Sequence, residues 1–426
     1  MSRRFTVYIV IGMLLGIIVG YIGHAYSADA DQAKTLAGYF SILTDIFLRL
    51  IKMIIAPLVF STLVVGIAHM EDSASVGRVG VKTMAWFIGA SLVSLTLGLI
   101  LVHLFSPGAG LSLPLPEAGA DAGIKTTSLN LREFITHVFP RSFIEAMANN
   151  EILQIVVFSI FVGTAIAALG DKARGLAHIA EQMAEVMLTI TGYVMKLAPL
   201  AVFAAVAATI TTQGLGVLLT YGKFIGSFYV ALAVLWLVLV GAGFVVLGSR
   251  IRGLVRAMRD PLLLAFSTAS SEAAYPRILE RLEHFGVSKR ISSFVLPLGY
   301  SFNLDGSMMY CTFAALFIAQ VYGIELSLGQ QITMLLLLMV TSKGMAGVPR
   351  ASLVVIAATL PVFHIPEEGL LLVLAVDQFL DMGRSATNVV GNSVATAVVA
   401  KWEKQLGPGH ASADPGAGID PTVRHS

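Results

Sequence analysis

The chain has 426 residues, of which 56% are hydrophobic and only 13% charged, with a formal net charge of +2. Soluble domains carry roughly 25% charged residues, so this composition, with a mean hydropathy of +0.81, excludes an ordinary soluble protein and indicates an all-α integral membrane protein. The single cysteine, Cys311, excludes an intrachain disulfide framework and any multi-cysteine metal site, and the balanced charge gives no reason to expect a nucleic-acid partner.

Apolar runs predict eight spans, near residues 5–27, 40–70, 79–106, 150–170, 178–212, 216–249, 291–322 and 366–402. The first is too long for a signal-peptide core and no clear small-residue cleavage site follows it, so it reads as a retained helix. Several exceed the ~20 residues needed to cross, which implies tilt or extension beyond the bilayer. The loop from Ser106 to Asn150 is rich in Gly, Pro and Ala, lacks a hydrophobic period and reads as flexible and exposed. The tail from Gly407 has the composition of a disordered segment. Arg3, Arg4, Lys172, Arg174, Arg250, Arg252, Arg256, Arg259 and Lys401 all fall on one side of an eight-span topology. The positive-inside rule makes that side, and both termini, cytoplasmic.

Residues 260–290 and 328–365 do not read as simple spans. Each has an apolar arm, a break of small residues with a proline, and a second arm. Non-helical backbone at membrane depth is tolerated only where protein buries it or it lines a cavity, and paired interrupted segments point to a transporter's binding site. Each precedes a span with polar residues inside it, so the C-terminal half reads as two copies of a re-entrant hairpin followed by a polar helix. In the last span, Asp377, Asp381, Arg384, Asn388 and Asn392 recur at helical spacing along one stripe. A charge at mid-membrane costs roughly 2.5–3.5 kcal/mol, so this stripe faces protein or water and not lipid.

Four motifs carry a resemblance: STASSE (267–272), NLDG (303–306), SKGMAGVP (342–349) and DMGRSATNVVGNS (381–393). The chain resembles the dicarboxylate/amino acid:cation symporters, the glutamate-transporter family, and looks closest to its bacterial proton–glutamate branch, over roughly residues 5–405. The resemblance implies eight transmembrane helices plus two re-entrant helical hairpins, assembled as a homotrimer within membrane lipid, working by an elevator motion in the bacterial inner membrane. Residues 1–75 and 150–212 would form the scaffold. Residues 76–149 (third helix and external loop) and 213–405 would form the moving transport domain, with 406–426 a disordered tail.

It also implies roles for particular residues. Arg384 offers a planar fork for the substrate's side-chain carboxylate, although the residues alone also allow a simple intrahelical pair with Asp381. Asp381 would hold a substrate ammonium, which favours glutamate or aspartate over succinate, malate or fumarate. Ser385, Asn388 and Ser307 would contact substrate beside this pair. Ser270 and Ser271 would offer backbone N–H groups at the first hairpin tip, and Gly347, Val348 and Ser352 would line the pocket from the second. Taken alone, these residues could equally be helix-packing hydrogen bonds and turn chemistry.

Asn303 and Asp305 would belong to a cation centre, where an unwound NLDG turn exposes carbonyls and Asp305 supplies the negative charge. Where sodium-coupled members carry an aspartate near the end of the last helix this chain has Asn392, and where they carry Thr-Ser in the third helix it has Ala90 and Ser91. These departures, with Glu272 in the first hairpin, favour protons over sodium as the coupling ion. Glu272, Asp305, Asp377 and Asp381 are the carboxylates that could carry the proton. Cys311 stands where mammalian members carry a proton-binding glutamate, and His103 reads as a packing residue. Arg350, at the tip of the second hairpin, which the resemblance makes the outer gate, is expected to face solvent. No nucleophile triad, metal cluster or nucleotide loop marks an enzyme, so uptake would be driven by an ion gradient. A dicarboxylate symporter, an anion channel and a membrane sensor with a transporter-like domain are the competing readings.

Overall fold

A computed structural model describes residues 3–68, 73–109, 115, 136, 138–214, 221–341 and 351–408. Among these residues the backbone is helical throughout, apart from turns and one isolated bridge between Val287 and Leu406. Helices are what an apolar chain must form in lipid, because they satisfy backbone N–H and C=O groups internally.

In chain order the first helices are α1 (Arg3–Tyr26), α2 (Ala30–Ala68), α3 (Ser73–Phe105), the short α4 (Phe143–Ala148), α5 (Ile152–Leu169), α6 (Arg174–Val194) and α7 (Ala198–Gln213). Then come α8 (Gly222–Leu247), α9 (Ile251–Ala257), α10 (Arg259–Thr268), α11 (Ser271–Phe285), α12 (Lys289–Phe302) and α13 (Asp305–Val321). The last are α14 (Leu328–Thr341), α15 (Ala351–Thr359), α16 (Leu370–Leu374) and α17 (Asp377–Trp402). At 39 residues, α2 is about 58 Å long, far more than a bilayer core requires.

Among the described residues, six stretches are long and apolar enough to cross a membrane, where the sequence led us to expect eight. Two differences account for this. The fourth and fifth expected spans run together as Ile152–Gln213, a 62-residue stretch interrupted at Gly170 and at the tight turn Met195–Leu197. The eighth, 366–402, fails on composition because its stripe of charges and amides removes the apolar signal. It is also not one helix: the chain breaks at Ala375–Val376, so Asp377 opens a new helix. The seventh breaks too, at Asn303–Leu304, dividing α12 from α13.

Two groups of helices result. In the first, α1 and α2 pack on α7, and α2 also packs on α5 and α6. The α1–α7 seam depends on small residues: a Cβ at Gly16 would stand 2.7 Å from the Phe203 carbonyl oxygen, and one at Gly20 2.7 Å from that of Ala207. Such close backbone approach is how helices associate in lipid, where no hydrophobic force drives them together.

In the second group, α3, α8, α10, α11, α12 and α13 all pack on α17. Almost every residue of α17 from Leu380 to Ala400 is therefore buried, on all faces and not only along the polar stripe. The groups meet where α12 and α11 lie on α2 and α10 on α7.

The first interrupted segment separates into two helices, as its sequence predicts. The first breaks at Ala269, in the left-handed region (φ 49°), after which the Ser270 hydroxyl caps α11 by accepting from Ala273 N–H at 3.2 Å. The second is α14 and α15, and its connection, residues 342–350 with Gly347, Val348 and Arg350, lies outside the described residues. So does most of the expected flexible loop, and so does the tail from residue 409. Leu406 and Gly407, expected to begin that tail, are instead fixed: Leu406 bridges Val287 and Gly407 N–H donates to the Gly286 carbonyl at 2.8 Å.

Candidate functional site

The site is assembled where the N-terminal half of α17 faces the α12–α13 break. Two hydrogen bonds from α8 fix α17 in register. The Trp236 indole donates to the Thr387 hydroxyl at 2.7 Å, and the Tyr229 hydroxyl donates to the Phe379 carbonyl at 2.7 Å. On α17, Asp381 is 7% exposed and Arg384 is 9% exposed, so this ion pair is nearly cut off from solvent.

Arg384 Nε donates to Asp381 Oδ1 one turn earlier. The other arm of the guanidinium reaches forward: Nη1 donates to the Ser307 hydroxyl at 3.0 Å and Nη2 to the Ser385 hydroxyl at 3.4 Å. Asn388 closes the arrangement, its Nδ2 donating to Ser307 Oγ at 3.4 Å and its Oδ1 accepting from the Gly306 N–H at 2.9 Å. Gly306 allows this approach, because a Cβ there would overlap the Arg384 carbonyl. The result is a carboxylate, a guanidinium, two hydroxyls and an amide in one buried cluster. The hydroxyl oxygens accept from the end of a guanidinium fork that could instead donate to a carboxylate bidentately.

A second cluster lies one turn along α17. Asn303 Nδ2 donates to Asp305 Oδ2 at 3.1 Å and to Asn392 Oδ1 at 3.2 Å. All three side chains are at most 1% exposed. Asn303 Oδ1 and Asn392 Nδ2 find no partner among the described residues. A buried carboxylate with an unpaired amide oxygen beside it is the oxygen-rich chemistry a hard cation uses. Among the described residues, no group of three or more His, Cys, Asp and Glu side chains converges in the way a transition metal requires.

Three contributors to these clusters were not singled out from sequence. Ser94 on α3 donates to Asp305 Oδ1 at 3.2 Å. It lies one turn after the expected Ser91, which is fully buried, and that spacing was the available signal. The Tyr310 hydroxyl donates to Asp377 Oδ1 at 2.6 Å, anchoring the first acidic residue of the stripe. Gly391 makes room for Asp305, whose carboxylate a Cβ would overlap. Nothing local in the sequence marks Tyr310 or Gly391 as different from its neighbours.

The remaining expected residues are placed as follows. Ser271 is buried, and its carbonyl accepts the Tyr300 hydroxyl at 2.7 Å. Glu272 follows it in the first turn of α11, within electrostatic reach of Tyr300. The Cys311 thiol faces the Ser352 carbonyl at 3.7 Å, while the Ser352 hydroxyl is buried with no partner among the described residues. His103, read from sequence as packing, hydrogen-bonds Gln331 Oε1 of α14 at 2.8 Å.

Helices too long and apolar for solution, around a core of buried charges and amides, define a multi-pass membrane protein with an ion-pairing site inside the bundle. The chain belongs to the sodium:dicarboxylate symporter family, whose model matches residues 5–402. It is 40% identical over 402 residues to a proton/sodium-glutamate symport protein of Geobacillus stearothermophilus, covering 93% of this chain and 94% of the relative. It is 41% identical over 406 residues to a proton/glutamate-aspartate symporter of Escherichia coli, covering 93% and 92%. A C4-dicarboxylate transport protein of Bacillus subtilis is 38% identical over 409 residues, covering 95% and 94%.

Proposed function

We propose that this protein is a secondary active symporter that imports glutamate or aspartate across the inner membrane, coupled to protons. The observation that carries this reading is the adjacency of Asp381 and Arg384, with Ser307 on the guanidinium, in one buried cluster. An amino acid with an acidic side chain has an ammonium for Asp381 and a distal carboxylate for Arg384. A C4-dicarboxylate would leave Asp381 facing its negative charge, which is why the acidic amino acid is favoured although relatives of both kinds are known. The first hairpin tip at Ser270 and Ser271, with Gly347, Val348 and Ser352 of the second, would enclose the substrate's α-carboxylate.

Charge accounting supports multiple coupling cations. Asp305, Asp377 and Asp381 with Arg384 are all buried and leave an excess of two negative charges when ionised. Glutamate adds a third. Uncompensated buried charge costs several kcal/mol per ion, so about three positive charges must accompany the substrate. Asn303, Asp305, Ser91, Ser94 and Asn392 would hold a cation, and Asp377 or Glu272 a proton. Asn392, neutral where sodium-coupled members have a carboxylate, supports protons as the principal ion.

The mechanism fits the two helix groups. The group around α17, with both hairpins, would be the moving unit, and α1, α2 and α5–α7 the scaffold, in eight spans with cytoplasmic termini. Met53, Phe161 and Ile179 give the scaffold exposed apolar surface suited to lipid and to the neighbouring copies of a homotrimer. Uptake into proteoliposomes under imposed proton or sodium gradients tests the reading. Glutamate and aspartate should accumulate under an acid-outside gradient without sodium. Accumulation of succinate alone would overturn the substrate, and a strict sodium requirement would overturn the ion.

A further inference from the structure

The end of α8 opens into α9 through the turn Gly248–Arg250, and this corner carries four arginines in ten residues, 250–259. They divide into two kinds. Arg250 is consumed by the fold: its guanidinium lies over the Phe285 ring, 5.3 Å from the centroid, and donates to the Gly407 carbonyl at 2.6 Å. Arg252, Arg256 and Arg259 are exposed, and none forms an ion pair or side-chain hydrogen bond with another described residue. The nearest carboxylate in sequence, Asp260, is already taken by Arg281 at 2.6 Å.

These three arginines form a surface. Ile251, Leu254 and Met258 are at most 4% exposed and fix α9 against the bundle. Arg252, Val255, Arg256 and Arg259 recur at helical spacing on the opposite side, where Val255 is 42% exposed. The helical hydrogen bonding runs on through Met258, whose N–H donates to Leu254 and whose carbonyl accepts from Leu262, so the stripe continues onto α10.

Two independent features place the stripe at a membrane surface. It ends a span, Gly222–Ala257, whose flank carries Leu237, Phe244 and Val245 at 74%, 53% and 83% exposure, a face suited to lipid tails. The Arg250–Gly407 bond also joins this corner to the end of α17, where Trp402 is 40% exposed beside the exposed Lys401. Tryptophan and lysine are the residues that sit at headgroup level.

We propose that Arg252, Arg256 and Arg259 form a docking surface for anionic phospholipid headgroups. Cationic side chains near a negative surface attract phosphate headgroups, the uncompensated charge matches a negative leaflet, and Val255 can rest at the acyl boundary. The surface belongs to the helix group around α17, so bound anionic lipid contacts the unit that the proposed transport cycle would move. The inference rests on the membrane reading of α8 and not on the identity of the substrate.

The test measures lipid retained by the purified full-length protein, by native mass spectrometry after detergent exchange from vesicles of equal phosphatidylglycerol and phosphatidylethanolamine. The wild type should retain phosphatidylglycerol preferentially. Each arginine near an anionic surface is worth roughly fivefold in association, so R252Q/R256Q/R259Q should lose most of that preference. The triple lysine variant should keep it, and wild-type retention should weaken with salt. Unchanged retention in a glutamine variant that melts at the wild-type temperature would overturn the proposal. So would loss of preference in the lysine variant, or loss of a subunit–subunit contact in place of lipid. Retention needs no transport, so a failed uptake assay leaves this result independent.

Discussion

Arg384 and Asp381 depend on each other. Removing one leaves the other charged and buried, which typically costs 3–5 kcal/mol. Arg384→Ala should therefore lower glutamate affinity by about a hundredfold or more and lower the melting temperature, whereas Arg384→Gln with Asp381→Asn should recover the melting temperature without recovering glutamate binding. Calorimetry with glutamate and thermal unfolding separate the two effects, and a single variant that binds glutamate normally would refute the role of the fork. Gly391 yields a prediction that substrate reasoning does not. A methyl group there overlaps the Asp305 carboxylate, and overpacking costs about 1–3 kcal/mol. Gly391→Ala should cut ion-driven uptake about tenfold or more while leaving Arg384 and Asp381 in place. The stripe itself was legible, because spacing alone aligns Asp377, Asp381, Arg384, Asn388 and Asn392. Their partners were not, since Ser94 and Asp305 are 211 positions apart in the chain.

At the scale of elements, the breaks matter as much as the helices. Ala269 holds a left-handed conformation (φ 49°), which costs a residue with a Cβ about 1–2 kcal/mol. Ala269→Gly should be nearly neutral, relieving that strain while adding about 0.5–1 kcal/mol of unfolded-state entropy. Ala269→Val should be clearly destabilising, and Ser270→Ala should cost about 1 kcal/mol through loss of the α11 cap. Thermal unfolding in detergent checks the order of the three variants, and a Val variant as stable as the Gly variant would contradict the assigned backbone. The first interrupted segment was readable as a pair of arms from its run of small residues. The break inside the seventh expected span, at Asn303–Leu304, was legible as the unwound NLDG turn, whereas that inside the eighth was not, because Ala375–Val376 carries no Pro or Gly at the break itself. There the packing of α13 and α17 outweighs local propensity.

At the scale of the whole molecule, the end of α17 joins distant elements. Glu403 receives Arg78 Nε at 3.1 Å and Lys82 Nζ at 2.6 Å from α3, with its side chain only 6% exposed. Burial alone would raise its pKa, but the hydrogen bonds and charges of Lys82 and Arg78 outweigh burial and hold it below the usual carboxylate range. A depressed folded-state pKa stabilises the protein above the unfolded value of roughly 4.3, and that contribution is lost as pH falls through the folded pKa. Glu403→Gln should therefore lower the melting temperature at neutral pH and flatten its decline below about pH 4.5. Melting curves from pH 7 to 3.5 would show it, and parallel curves for variant and wild type would exclude the linkage.

Composition by itself determined that this is a membrane protein, and helical periodicity determined that its last helix carries a polar stripe that cannot face lipid. Motif order was enough to recognise the family and to nominate Arg384, Asp381 and Asp305. Only the tertiary structure decided what these residues touch: the Ser307–Arg384 bond, the Asn303–Asn392 contact and the glycine that admits Asp305 each join segments far apart in the chain. Local pattern records which face of a helix is polar. It cannot record which distant helix meets that face, because that is fixed by close packing across the bundle.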